Sequence, residues 1–246
     1  MIVGVVMVGG WPIVHHVWEG NRLDNSTVQE VIRDLRERFE FARVVFVGDR
    51  GMVKEQNLQH FTEQGQGYLV GVKRRRNANM AKWLDAVEEA KWIDCPAGLS
   101  ASEKSDPPRT RVQEVPSGRE GMRVFVIDSD ERRQYEESMR SRSMDRVREK
   151  LEKLRQRVQA GKLTEAAKIG AAAERIMQAH HGYRYYRWRL DEGRFSFEED
   201  PVHLQREKRI EGKYLIATSE ASLGALEAVR MYNSASVVRD ITECCG

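Results

Sequence analysis

Val44-Val45-Phe46-Val47-Gly48-Asp49-Arg50-Gly51-Met52 is the stretch that decides the fold. Four apolar residues, three of them β-branched, run into a Gly-Asp-Arg-Gly turn. A short run of this kind closed by glycine reads as a strand buried on both faces. Open α/β sheets place their sites just past the carboxyl ends of such strands, where Asp49 falls. An aspartate in that place is equally a turn or helix-cap residue. Spacing by itself therefore leaves a structural and a functional reading of Asp49 side by side.

Upstream, the apolar run from Ile2 to Val8 ends at Gly9-Gly10, and Trp11 to Trp18 reads as a second strand, so the two predict a hairpin. A loop over Glu19 to Asn25 leads to Ser26 and Thr27, which offer caps with Gln29 and Glu30 three residues on. Val28, Val31, Ile32, Leu35 and Phe39 then predict an amphipathic helix over 27–39. After the Asp49 strand come a helix around 54–64, ending at Gly65 or Gly67, and a buried strand from Tyr68 to Val72. The order β-β-α-β-α-β predicts an α/β layered domain.

The pattern changes after Val72. Lys73-Arg74-Arg75-Arg76 is the densest basic run in the chain. A helix over 79–91, with Trp83 and Trp92 read as core, a polar loop over 95–120 and a strand from Met122 to Ile127 follow. A long charged helix is predicted over 129–160, where Met144, Val147, Leu151, Leu154 and Val158 form a short heptad seam. An Ala-rich helix over 163–180 makes an antiparallel pair with it, or leaves the seam for a partner. Tyr183 to Leu190 alternates aromatic and basic residues, and Phe195 and Phe197 continue after an Asp-Glu-Gly turn. Either Arg184, Arg187 and Arg189 contact phosphates while the aromatics stack on bases, or the aromatics are core and the arginines are solvated. Tyr214 to Thr218 is the last strand, and a helix follows over 221–232.

The 246 residues suit one large domain or a core carrying an insertion, and they are 40% hydrophobic and 32% charged. A net charge of +3 is no nucleic-acid signal, so local clusters must carry that argument. Cys95, Cys244 and Cys245 give neither a disulfide framework nor a zinc spacing, which fits a reducing cytoplasm. No apolar run approaches the roughly 20 residues of a membrane span, so no membrane partner is expected. Met1 to Val8 lacks a basic n-region and reads as a strand rather than a signal peptide. His15-His16 and His180-His181 have no supporting ligand spacing and read as ordinary surface or core histidines. There is no Ser-His-Asp set, P-loop or nucleotide fingerprint.

Taken in order, these blocks resemble the DDE transposases of bacterial insertion sequences, the insertion-sequence-4-like superfamily with a ribonuclease-H-like core. Ile2-Val3-Gly4-Val5-Val6 leading into Gly10-Trp11-Pro12-Ile13 resembles the family's second and third strands. Glu19-Gly20-Asn21-Arg22-Leu23-Asp24 resembles its Gly-Asn-x-x-Asp loop, and Val47 to Met52 the block around its second catalytic aspartate. Tyr68 to Lys73 resembles the next strand, Glu211-Gly212-Lys213-Tyr214-Leu215-Ile216-Ala217-Thr218 the Asp-Gly-x-x-x-Leu-x-Thr strand, and Tyr232 the tyrosine that opens the C-terminal signature. Asn21, Arg50, Gly51 and Tyr232 are the other motif positions.

The resemblance implies a ribonuclease-H-like mixed sheet with flanking helices, incomplete at both ends, with a largely helical insertion. Its parts are 1–73 as the first part of the core, 74–210 as the insertion, and 211–246 as the last strand and C-terminal helix. It implies DNA transposition, with transposon-end DNA as partner and a homo-oligomer as a further expectation. The family's chemistry uses three carboxylates holding two Mg²⁺ or Mn²⁺ ions roughly 3.5–4 Å apart, and Asp49 would bridge them. The departures are equally specific. The family's first aspartate lies on a strand before the one that opens this chain. Its glutamate, seven residues after the tyrosine, is Arg239 here; Ala235 replaces an arginine and Gly246 a lysine, while Asp240 and Glu243 are nearby acids out of register. A cation in a two-metal site repels the ions it should hold. The expectation is a transposase remnant with one convincing catalytic carboxylate, or a non-catalytic DNA-binding or regulatory derivative. An unpaired sheet edge would favour association.

Overall fold

The computed structural model describes residues 2–8, 11–19, 30, 34, 37–38, 44–48, 58–59, 62–63, 65–74, 77–96 and 108–243. These fall into two compact units, one of 1–128 with 214–246 and the other of 129–213.

In the first unit, β1 (Ile2–Val8) and β2 (Trp11–Trp18) pair antiparallel, as their apolar runs predict. The register slips between Val6 and Met7, opposite Pro12, which has no N–H to give to the ladder. A six-stranded mixed sheet follows: β3 (Val45–Gly48), β4 (Gly67–Gly71), β5 (Ile93–Asp94), β6 (Thr110–Val115), β7 (Arg123–Ser129) and β10 (Lys213–Thr218), in the order β3-β4-β10-β7-β6-β5. β3 and β4 run parallel, while β10 is antiparallel to β4. The central strands are the apolar ones: Val124 to Ile127 are wholly buried, and Tyr214 to Thr218 are all buried. β3 stands at the end of this order, and Val45 to Val47 are only half-buried, so the stretch read as buried on both faces is less covered than its composition suggests.

Of the helices expected over 27–39 and 54–64, residues 30, 34, 37, 38, 58, 59, 62 and 63 are helical and the rest lie outside the described residues. The helix expected over 79–91 is shorter. It is α1 (Met80–Asp85), followed by an extended residue at Glu88 and one 3-10 turn, Glu89–Lys91. The buried amide of Gln113 breaks it, accepting from Glu88 N at 2.8 Å and donating to Glu88 O at 2.7 Å as a strand neighbour would. Gln113 belongs to β6, inside the segment read as a polar loop. β6 and β7 both join the six-stranded sheet, so the sheet takes in part of the segment 74–210 assigned to an insertion. α5 (Ala225–Glu243) lies past β10, and Ala228 and Val229 join Leu69, Val112, Phe125, Ile127 and Ile216 in one core.

The second unit is built on α2 (Asp130–Gln159) and α3 (Ala166–Ala179), followed by the hairpin β8 (Tyr186–Asp191) and β9 (Arg194–Glu199) and by α4 (Pro201–Ile210). The heptad seam faces inward: Val147, Leu151, Leu154 and Val158 pack with Ile169, Ala173 and Met177 of α3 and with Tyr186 and Phe195 of the hairpin. The seam is therefore spent within the chain. The hairpin turns on Glu192 and Gly193, both at positive φ as a two-residue turn of this hand requires. α4 has no apolar period to predict it, yet Asp200 caps it, accepting from Val202 N and His203 N at 3.1 Å, and Pro201 opens it.

Because Leu151 is fully buried at the centre of the seam, Leu151→Ala should cost about 3 kcal/mol in urea denaturation. Met139→Ala, on the exposed side of the same helix, should stay within about 0.5 kcal/mol.

Candidate functional site at the ends of the parallel strands

β3 and β4 are in register from Val45 opposite Gly67 to Gly48 opposite Val70. The strands therefore end side by side, and Asp49 is the next residue after the end of β3. Asp49, Arg50, Gly51, Asn21, Arg75 and Arg76 themselves lie outside the described residues. β4 holds its course one residue beyond its last strand position, since Val72 N donates to Leu215 O at 2.8 Å. The chain then emerges at Lys73, which is exposed, and Arg74, which is half-buried. The chain thus leaves β4 toward Lys73 at the same end of the sheet at which β3 finishes at Gly48.

Tyr232 belongs to this end as well. β10 runs antiparallel to β4, so its first residues lie beside β4's last ones. Tyr214 is among them, and Tyr232 of α5 stacks on it with ring centroids 6.1 Å apart at 28°. Tyr214 Oη donates to Asn233 Oδ1 at 3.5 Å. α5 is helical without a break through Glu243. The residue seven positions after Tyr232, where the resemblance expects a glutamate, is Arg239.

The placement of α5 depends on an arginine that the sequence does not single out. Arg123 Nη1 donates to the carbonyls of Glu220, Ala221 and Leu223 at 2.9, 3.0 and 2.7 Å, gathering the turn from which α5 starts. Its other face is held by both oxygens of Glu114, at 2.8 and 2.7 Å. That guanidinium keeps the Glu114 carboxyl below the usual carboxylate range. Arg123 lies about a hundred residues from those carbonyls, and no local pattern signals such a pairing. Arg111 plays a like part near the other edge, bonding Glu89 and Asp128 and lying over Trp92.

The Glu211-Gly212…Thr218 block has a structural explanation. Glu211 is buried against Arg140 at 3.2 Å, and burial pushes its carboxyl above the usual value despite that cation. Gly212 N donates to Glu136 Oε2 at 3.0 Å, and Gly212 O accepts from Ser129 N at 2.9 Å. Gly212 has φ +74°, and a Cβ there would meet Arg133 Cβ at 2.8 Å, so glycine is required twice over. Thr218 Oγ1 donates to Tyr68 O at 2.6 Å, tying β10 to the start of β4.

On the hairpin, the alternation resolves toward packing. Tyr186, Trp188, Phe195 and Phe197 all belong to the core of the second unit, Trp188 stacking on Phe195 at 5.9 Å. Arg187 is exposed and paired with Glu198 at 2.9 Å, and Arg189 lies 4.0 Å from the same carboxylate. Arg184 leans over the ring of Tyr183 at 5.6 Å. Tyr186, Trp188, Phe195 and Phe197 are thus engaged in packing, whereas Tyr183 is exposed. Trp83 is likewise core, its Nε1 donating to Ser117 O at 3.1 Å.

Among the described residues no group of three or more His, Cys, Asp or Glu side chains is arranged to hold a metal ion. His16 faces Asp34 at 3.3 Å, and His180 faces Lys150 at 2.6 Å, each apart from any ligand set. No helix among the described residues is long and apolar enough to cross a membrane. Comparison with family models, with curated proteins and with solved structures gives no match.

Gly212→Ala should cost about 2 kcal/mol in urea denaturation, from positive-φ strain and the contact with Arg133. Gly224→Ala is the control: its Cβ would enter open space, and it should stay within about 0.5 kcal/mol.

Proposed function

We propose that this chain is a DNA-binding protein of DDE-transposase descent, with a ribonuclease-H-like core, that grips DNA without cutting it. One observation carries the reading. The strand leading into Asp49 is paired parallel to β4, and Tyr232 stacks beside the same end of the sheet. These are the pieces the resemblance requires to converge, and they come from stretches far apart in sequence.

The non-cleaving half of the proposal rests on Arg239. Two divalent ions need converging carboxylates, and a guanidinium at the third position opposes them. The unbroken α5 offers no shift of register that would put Asp240 in its place. Mg²⁺ or Mn²⁺ therefore belongs to the parent family's chemistry, and no step of this chain is routed through it. The exposed start of the basic run at Lys73 supports contact with phosphates. A homo-oligomer and a cytoplasmic location remain part of the proposal.

The test is incubation of the full chain with supercoiled plasmid in Mg²⁺ or Mn²⁺. Retention without nicking is expected. Nicking that disappears in Asp49→Asn would overturn the non-cleaving assignment, and absence of retention at low salt would overturn the DNA reading itself. Replacing Lys73, Arg74, Arg75 and Arg76 by glutamine should flatten the dependence of log K on log[salt] by about 0.9 for each phosphate the variant leaves unneutralised. An unchanged slope removes the basic run from the interface.

A further inference from the structure

The chain's net charge of +3 conceals an uneven distribution. Residues 129–213 carry 21 Lys and Arg against 16 Asp and Glu, a net +5. Within α2, residues 140–157 alone carry eight Lys and Arg against three acids. On the exposed side of that helix stand Arg142, Arg146, Lys150, Lys153 and Arg157, spaced by four, four, three and four residues. That spacing keeps all five on one face, opposite neither the core nor each other. All five are exposed, while Val147, Leu151, Leu154 and Val158 of the same helix are buried on another side.

Surface cations on a helix are ordinarily offset by acids three or four residues away. Here the offset is partial. Lys153 pairs with Glu149 at 2.5 Å, and Lys150 Nζ donates to His180 Nε2 at 2.6 Å. Arg142, Arg146 and Arg157 make no ion pair among the described residues; Asp145 and Glu149 are the acids flanking the row. The local field is positive enough to be felt by a neighbour: His180 is held below the usual histidine value by burial, then by Lys150, Arg146 and His181.

We infer that the exposed face of α2 from Arg142 to Arg157 is a track for the phosphate backbone of duplex DNA. The row spans about 22 Å at 1.5 Å per residue, and it meets a partner bearing one negative charge per roughly 1.7 Å of axis. The track itself consists of guanidinium and ammonium groups; the one exposed amide within its span, Gln156, donates to Glu152 Oε1 at 3.4 Å, so the row grips phosphates without choosing a sequence. Ser143, the nearest hydroxyl, is committed to His180 O at 2.9 Å. The track lies in the second unit, whereas Asp49 and Lys73–Arg76 belong to the first. It takes from the proposed function only the identity of the polyanion.

The experiment is fluorescence anisotropy of a labelled 20-base-pair duplex of arbitrary sequence, titrated with the full chain across a series of salt concentrations. Arg142→Gln, Arg146→Gln and Arg157→Gln combined should leave folding intact by circular dichroism, since none of the three is buried or paired. This variant should reduce the salt slope by about 3, at roughly 0.9 per neutralised phosphate. Glu149→Gln removes a charge that repels phosphate and releases Lys153, so it should tighten binding. Unchanged affinity and slope in the triple variant, with the Lys73–Arg76 variant still weakened, overturns the track and leaves the DNA reading standing. No duplex binding by the unaltered chain overturns both. Displacement of the duplex by polyglutamate at equal charge concentration overturns the assignment to phosphate.

Discussion

β7 and β10 are neighbours in the sheet, although all of residues 130–212 intervene between them. The central sheet therefore depends on a long excursion returning to where it left. Closing so long a loop is entropically costly, although the cost grows slowly with length. The return is fixed by a small group of contacts at the two ends of the excursion. Ser129 N donates to Gly212 O, Gly212 N donates to Glu136, and Arg140 meets Glu211. Buried ion pairs are weak evidence for net stability. Their worth here is geometric, because an unpaired Glu211 in that place is the alternative. The seam of α2 and α3 stabilises the interior of the excursion independently, so its core does not have to come from the sheet.

The elements legible in the sequence are those written as continuous apolar runs or as regular apolar periods. β1, β2, β7 and β10 follow their apolar runs, α2 and the β8–β9 hairpin follow their periods, and the hairpin turn is written in Glu192-Gly193. β6 and the shortened α1 differ from their sequence reading for one cause: a polar side chain taking the place of backbone. Gln113 is buried in β6 and bonds Glu88 at both its N–H and its C=O, which hides one strand and cuts a helix short. Thr110, Arg111, Gln113 and Glu114 give β6 the composition of a loop. α4 is announced only by its Asp-Pro start, since its apolar residues are too few to form a stripe.

The site is legible to a different degree. A strand ending in Gly-Asp-Arg-Gly can be read from nine residues. That Tyr232 comes to the same end of the sheet cannot, because it depends on Tyr214 and on α5 being started by Arg123. The aromatic-basic alternation of Tyr183 to Leu190 is ambiguous for the converse reason. A strand that stacks on bases and a strand that packs on helices have the same period of two. Only the packing of Trp188, Phe195 and Phe197 into the α2–α3 core separates them.

Charge and chemistry are separable in this chain. Coordination of two metal ions fails if one carboxylate among three is replaced, since the geometry is shared by all of them. A grip on phosphates is instead a sum of exposed cations, each contributing a similar increment, and it survives the removal of any one. Arg239 therefore bears on the two properties in opposite ways. It removes a donor from the expected metal site, and it adds one more cation to a protein whose positive charge is already gathered on α2. On the proposed descent, arginine stands where the third acid of a DNA-cutting fold is expected, and a grip on phosphates is the property that such a change leaves in place.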